Sequence, residues 1–257
     1  MKELFYEMIF KRKSFHTFKH TGDEKISDTE LNDIRHGFKK VEPLVRDIKV
    51  KMEIVLGGET TCQRGQEYCI LFYSEMKDNC LQNIGYMGEQ VDLLLASMDI
   101  GCLWFGLGKT ELLKNDGLDF IIMMAIKKVP SDKFRRDMFK SRRKTLEEMW
   151  QGDYFTDIGN VARFSPSSCN LQPWIAESSK KEMLVYRYKQ EGKRGIIPTD
   201  RVIYANRADI GIFLFILEQC MKHEKLKYKR VIYNDSKDPD DSEKVLVAEY
   251  DELSFCT

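Results

Sequence analysis

No apolar run in this chain is long enough to cross a bilayer. The longest, Ile210 to Leu217, is eight residues with one glycine, against the roughly 20 that a membrane-spanning helix needs. The opening Met1-Lys2-Glu3-Leu4-Phe5 carries an acid and lacks the apolar core of a signal peptide, so the cytoplasm is the expected location. Net charge is missing too. The 41 basic and 41 acidic residues cancel, which leaves no global attraction to nucleic acid or to an anionic membrane. Seven cysteines are present but no C-x-x-C. A tetrahedral zinc site needs close thiolate pairs, so reduced thiols acting as small hydrophobes are expected. There is also no Gly-x-Gly-x-x-Gly, and hence no separate dinucleotide-binding domain is expected.

What is present is an alternation of strand and helix signals over 257 residues, enough for one large domain or two small ones. Ser27 and Glu30 make a capping-box pair, with Leu31, Ile34 and Phe38 following at helical spacing, which predicts a helix over 27–40. Residues 48–55 alternate apolar and polar, the pattern of a half-buried strand. Tyr68 to Tyr73 is continuously apolar and reads as a strand covered on both faces. A helix over 85–98 carries Met87, Val91, Leu94, Leu95 and Met98 on one face, with Gly101 as its stop. A strand is expected over 120–126, and a basic linker over 127–144. Beyond it come a helix near 156–163, ended by Ser165-Pro166, and a strand over 183–188. A helix over 209–222 is apolar nearly all round, the mark of a helix buried on most sides. Short strands over 230–233 and 245–250 flank an acidic loop at 234–243. Asn83-Ile84-Gly85 and Asp209-Ile210-Gly211 look like counterparts, which suggests an internal duplication. Taken alone, that likeness is no stronger than between any two α/β segments.

Two segments carry chemistry. In Arg12-Lys13-Ser14-Phe15-His16-Thr17-Phe18 an extended chain turns Arg12, Ser14 and His16 to one side. A guanidinium fork, a hydroxyl and an imidazole suit a phosphate and a polar ring edge. By themselves these residues read as an ordinary basic surface strand. Ser165-Pro166-Ser167-Ser168-Cys169-Asn170-Leu171-Gln172-Pro173-Trp174 says more. Its prolines fix the path, and its serines and amides become preorganised donors and acceptors for a polyhydroxyl chain or a heterocycle edge. A capping turn alone does not explain the amides and tryptophan together.

The second segment resembles the P-S-x-x-N-x-Q-P-W signature of the nitroreductase superfamily. Residues 12–18 resemble that family's R-R-S-x-R-x-F, Ile100 to Gly106 its G-L-G-x-x-W-x-G, and Arg142-Arg143-Lys144-Thr145-Leu146-Glu147-Glu148 its C-terminal R-x-x-L-E-E. The order is unusual, since the C-terminal type motif stands mid-chain and the proline-serine loop follows it. Where the first half would carry that loop there is only Val41-Glu42-Pro43-Leu44. The resemblance implies an α+β nitroreductase-like fold, with mixed central sheets flanked by helices. It further implies two half-repeats, 1–144 and 145–257, fused as an internal pseudo-dimer in a monomer that can associate further. One complete FMN site is expected.

By the same resemblance, Arg12, Lys13 and Ser14 lie at the phosphate and ribityl end, with Arg142 or Arg143 as a second cation. Pro166, Ser167, Ser168, Asn170 and Gln172 come from the second half and line the isoalloxazine and ribityl chain. Gly106 approaches the flavin N5 region through its backbone. His16 stands where the family commonly has Arg or Lys, near flavin N1 and O2, and carries that charge only when protonated. Gly106 and Leu107 replace a more polar pair found in some members. No catalytic side chain and no metal ligand is implied. The implied activity passes electrons from NAD(P)H through FMN to an electron-poor acceptor such as a nitroaromatic or quinone. The alternative is a flavin-binding protein without NAD(P)H turnover, because fold and cofactor do not fix the reaction. Lys127 to Lys144 is a basic cluster, but with only Phe134 and Phe139 as stacking candidates it does not read as a nucleic-acid site. Cys169 lies in the loop without a second nearby cysteine, so thiol redox chemistry is not expected.

Overall fold

The computed structural model describes residues 2–188, 195–198, 201–235 and 244–255. Two helices open the chain, α1 (Lys2–Lys11) and α2 (Asp28–Phe38). Ser27 caps α2 in the anticipated capping box with Glu30. The strands β1 (Val50–Leu56) and β2 (Tyr68–Ser74) lead into the long helix α3 (Cys80–Ser97). After it come β3 (Ile100–Phe105), the short β4 (Lys114–Asn115) and β5 (Leu118–Lys128). These strands form one antiparallel sheet in the order β1-β2-β5-β3, with β4 beside β5. Tyr68 to Tyr73 falls on β2, an interior strand flanked by β1 and β5. An interior strand covered on both faces needs an unbroken apolar run.

The second part runs through α4 (Leu146–Met149), β6 (Trp150–Gln151), α5 (Thr156–Ala162), β7 (Trp174–Ser178) and β8 (Met183–Tyr188). It ends with α6 (Val202–His223), β9 (Leu226–Ile232) and β10 (Lys244–Phe255). Its sheet order is β6-β7-β8-β10-β9, with only the β6–β7 pair parallel. Helices α3 and α6 pack on each other between the two sheets, and one apolar cluster draws on both. It joins Tyr86 and Leu93 of α3 to Ile210, Phe213 and Leu217 of α6. The approach is close. A Cβ on Gly85 would lie 1.9 Å from the Ala208 carbonyl oxygen, and one on Gly211 would lie 1.9 Å from that of Gln82. Only glycine permits backbones to meet at this distance. No helix among the described residues is long and apolar enough to cross a membrane.

Several expectations need correction. Gly101 does not stop α3. The helix ends at Ser97, Asp99 turns the chain with φ 54°, and Gly101 lies inside β3, where a Cβ would press on Val129 and Phe15. Helices α3 and α6 also begin earlier than read, because polar residues such as Gln82, Asn83 and Asn206 lie buried in their first two turns. Residues 127–144 are not a free linker. Phe134 and Met138 are buried there, and Arg135 N–H donates to the Lys11 carbonyl at 3.1 Å. Strands β9 and β10 run longer than expected because they pair with each other, and β10 pairs with β8 on its other side. Of the loop at 234–243, residues 236–243 lie outside the described residues. Helix α1, with Phe5 and Ile9 turned into the core, was not anticipated.

Candidate functional site

Arg12 follows α1 directly. Two residues on, the chain runs beside β3, with Ser14 pairing with Cys102 in parallel and Phe15 N–H donating to the Cys102 carbonyl at 3.0 Å. This turns Arg12 inward, to 2% exposure. Its Nε donates to Asp92 at 2.9 Å and its Nη2 to the Ser14 hydroxyl at 3.0 Å. Asp92 also accepts from Trp104 Nε1 at 3.1 Å. Glu89, fully buried, lies 3.8 Å from Arg12 Nε with neither oxygen hydrogen-bonded. Burial would lower Arg12, but Asp92 and Glu89 outweigh it and keep the guanidinium charged. Burial pushes the Glu89 carboxyl well above the ordinary range, beyond what Arg12 restores.

Two more arginines stand close to Arg12. Burial, reinforced by the charge of Arg12, brings Arg135 down to about 10. Burial together with Arg12, Arg135 and Arg163 brings Arg143 down to about 10. Such depression is what like charges do to one another in a poorly solvated place. Arg12 Nη1 and Arg143 Nε are buried without a hydrogen-bond partner. Unpaired buried N–H groups on crowded cations are costly, and an oxyanion is the group that removes the cost. Beside them a groove of about 450 Å³ is lined by Arg143, Thr145, Leu146, Asn160 and Arg163 among others.

The proline-serine loop meets this cluster. Arg143 Nη1 donates to Asn170 Oδ1 at 2.6 Å, and Asn170 Nδ2 donates to the Arg142 carbonyl at 3.2 Å. Gln172 accepts the Lys144 N–H at 2.9 Å and its carbonyl accepts Lys144 Nζ at 2.8 Å. The Ser167 hydroxyl accepts from Gln172 N–H at 2.9 Å. Ser168 is tied to α6: its N–H donates to both oxygens of Asp209 at 3.0 Å, and its hydroxyl lies 3.1 Å from Oδ1. These bonds hold a strained backbone. Cys169, Asn170 and Gln172 have φ of 50°, 58° and 52°, a region that costs non-glycine residues energy and tends to mark functional loops. Asp209 is fully buried, and burial raises it to about 7 against the opposing bonds from Ser168.

The structure therefore groups Arg12, Ser14, Arg143 and Asn170, with Ser167, Ser168 and Gln172 completing the loop and Pro166 buried beneath it. Lys13 is exposed and spends its ammonium on the Lys133 carbonyl at 2.9 Å. His16 is exposed, and Arg142 is exposed with only its carbonyl turned to Asn170. Gly106 lies exposed just past β3, four residues beyond the Ser14 pairing point, about 13 Å away along an extended chain. Sequence reading missed Arg135, Glu89, Asp92 and Asp209. For the three acids the signal was a carboxylate interrupting an apolar helix, with Glu89 and Asp92 one turn apart on α3.

Comparison with known proteins gives one consistent answer. A family model described as "Putative TM nitroreductase" matches residues 4–238. A "putative nitroreductase" from Thermotoga maritima superposes with TM-score 0.61 at 15% identity, covering 96% of this chain and 93% of its own. A "putative nitroreductase in complex with FMN" from Desulfovibrio desulfuricans has TM-score 0.43 and 16% identity, covering 58% of this chain and 97% of its own. A nitroreductase family protein from Clostridium difficile 630 has TM-score 0.44 and 12% identity, with the same coverage. No curated protein matches the chain.

Proposed function

The chain belongs to the nitroreductase family, and from that premise we propose that it is an FMN-dependent oxidoreductase taking electrons from NAD(P)H to an electron-poor acceptor such as a nitroaromatic or quinone. The observation that carries the proposal is the arginine cluster with its orphaned N–H groups, meeting the proline-serine loop. The residues present fit a flavin phosphate. Arg135 and Arg143 supply charge, and Arg12, clamped by Asp92 and Ser14, offers its remaining N–H. The side chains of Ser167, Ser168 and Asn170 suit the ribityl chain and ring edge. FMN would supply the electron chemistry, accepting a hydride equivalent and passing it on. The protein's part is to bind, orient and tune the electrostatics.

The same reading takes the chain as two fused halves, 1–144 and 145–257. The reciprocal glycine contacts of α3 and α6 support it. One constant shift carries Gly85 onto Gly211, Asn83 onto Asp209, Asp92 onto Glu218, and β5 onto β10. The anchors correspond as well. Val45 N–H donates to Asn83 Oδ1 at 3.0 Å, as Ser168 N–H does to Asp209, and each donor stands two residues after a proline. At the related place in the second half, Glu218 accepts from Arg230, Tyr86, Tyr250 and Tyr228 at 2.7 to 3.1 Å. Arg230 also donates to the carbonyl of buried Leu44. Tyrosine and leucine fill the space where a second site would lie, so we expect one FMN per chain.

The test is the visible spectrum of the purified protein, with the chromophore identified by mass and NAD(P)H oxidation followed with an artificial acceptor. One FMN per chain with turnover supports the proposal. Two per chain would refute the single site. FMN without turnover would leave a flavin-binding protein, and no FMN even in excess would remove the oxidoreductase reading.

A further inference from the structure

The two anchor positions differ by one atom type. In the first half Asn83, a neutral amide, accepts the Val45 N–H. In the second, Asp209 accepts both the N–H and the hydroxyl of Ser168. An amide serves as the backbone anchor, so the acid at 209 is not required for anchoring alone. Asp209 is also 2% exposed, and among the described residues no counter-charge neighbours it. On α3, Tyr86 is turned to Glu218 and Glu89 to Arg12. On α6, Arg207 pairs with Asp235, and Glu218 lies about two and a half turns on. On α5, Asp157 faces the groove beside Arg143. Tyr6 of α1 stacks on His223 at the far end of α6, and Arg230 of β9 pairs with Glu218. In the loop, Cys169 is the titratable group nearest in sequence, and it is exposed.

We propose that Asp209 is a positioning residue whose protonation reverses the hydrogen-bonding polarity that Ser168 presents to the flavin; this rests on the oxidoreductase reading above. An ionised carboxylate only accepts. It claims the Ser168 hydroxyl proton, and Ser168 then offers the site a lone pair. A protonated Asp209 donates to Ser168 Oγ, which frees the hydroxyl proton to point into the site. The flavin ring edge carries more acceptors than donors (two carbonyls and two ring nitrogens against one N–H), so the protonated form is the tighter binder. Burial brings Asp209 to about 7, which places the reversal in the neutral range.

The experiment titrates FMN into wild type, Asp209→Asn and Ser168→Ala between pH 5.5 and 8.5, reading flavin fluorescence. The phosphate of FMN titrates in this range too, but equally for all three proteins, so it cancels in ratios of affinity. The asparagine amide mimics the protonated acid. Relative to Asp209→Asn, wild type is expected to bind equally at pH 5.5 and roughly fivefold more weakly at pH 8.5, the worth of one hydrogen bond. Ser168→Ala, which keeps Asp209, should lose that extra pH dependence. A wild-type to Asp209→Asn ratio that stays constant with pH overturns the inference and leaves FMN binding standing. A residual pH step in Ser168→Ala equal to that of wild type overturns it as well. Wild type that binds no FMN at any pH overturns the oxidoreductase reading, and this inference with it.

Discussion

Replacing Gly85 or Gly211 by alanine probes the α3–α6 crossing directly. Each new Cβ would sit 1.9 Å from a backbone carbonyl oxygen, against a closest real approach of 3.0 Å. The obstacle is main chain, with no rotamer to swing aside, so the helices must separate by about an ångström. Overpacking of this kind costs typically 1–3 kcal/mol, and a backbone obstacle belongs at the upper end. Alanine returns about 1 kcal/mol of helix propensity. The net loss is about 2 kcal/mol for each variant, or a fall in Tm of about 4–8 °C in a protein of this size. Urea unfolding gives the same quantity from the midpoint at constant slope. Gly58→Ala, where a Cβ meets nothing within 4 Å, is the control and should be close to neutral. Because one separation relieves both contacts, the double variant should lose clearly less than the sum of the singles. Single variants as stable as wild type would mean the helices are not in backbone contact. Strict additivity would mean the two contacts are not parts of one crossing.

Other outcomes follow from buried charge. Asp209 is raised from 3.8 to about 7, so the folded state keeps its proton where the unfolded chain has lost it; the stability this provides is full below about pH 4 and gone above 7. Measured against Asp209→Asn, wild type should therefore lose about 3 kcal/mol between pH 5 and pH 8 at 1.36 kcal/mol per unit, and parallel stability curves for the two proteins would refute this. Glu218→Gln strands Arg230 without its counter-charge and should cost about 3 kcal/mol in urea unfolding; a loss below 1 kcal/mol would show that the tyrosines alone hold the hub. Arg143→Ala removes one of three crowded cations, so ligand-free stability should hold or rise while the thermal stabilisation by inorganic phosphate shrinks; an undiminished phosphate effect would place the anion elsewhere.

The parts of the fold legible in sequence were those whose pattern is local. The capping box at Ser27 and Glu30, the alternation over 48–55, and the unbroken apolar run of β2 each follow from neighbours within one element. Boundaries failed where tertiary contacts set them. Helix α3 begins at Cys80 because Asn79 is held from the far end of the chain, its N–H donating to Asp235 at 2.6 Å. The proline-serine loop was legible because its composition has no cheaper explanation than a ligand. Arg135 was hidden among nine bases between Lys127 and Lys144, and only the fold separates it, half-buried beside Arg12, from exposed Arg136. Asp92 and Glu89 were passed over because the apolar stripe of α3 is read by its hydrophobic positions, while the function lies in the exceptions.

Those exceptions set the charge of the site. Arg12 is paired with Asp92 at 2.9 Å, and burial pushes the Glu89 carboxyl well above the ordinary range, in the direction of its uncharged form. Arg163 has Glu147 as its opposing charge. Among the described residues no acid forms an ion pair with Arg135 or Arg143, which leaves up to two guanidinium charges for a ligand. A phosphate monoester carries about −1.5 to −2 at pH 7, which matches that excess. A sugar or ring lacking the phosphate leaves both cations uncompensated. Riboflavin, identical to FMN except for the phosphate, should therefore bind at least about a hundredfold more weakly, since two charge-assisted hydrogen bonds are each worth about 1.5–3 kcal/mol. The gap should narrow in Arg143→Ala and should shrink as salt is raised, because the cluster borders an open groove. Equal affinities for riboflavin and FMN would mean the arginines do not face the phosphate, and the site would then have to be rebuilt around the loop alone.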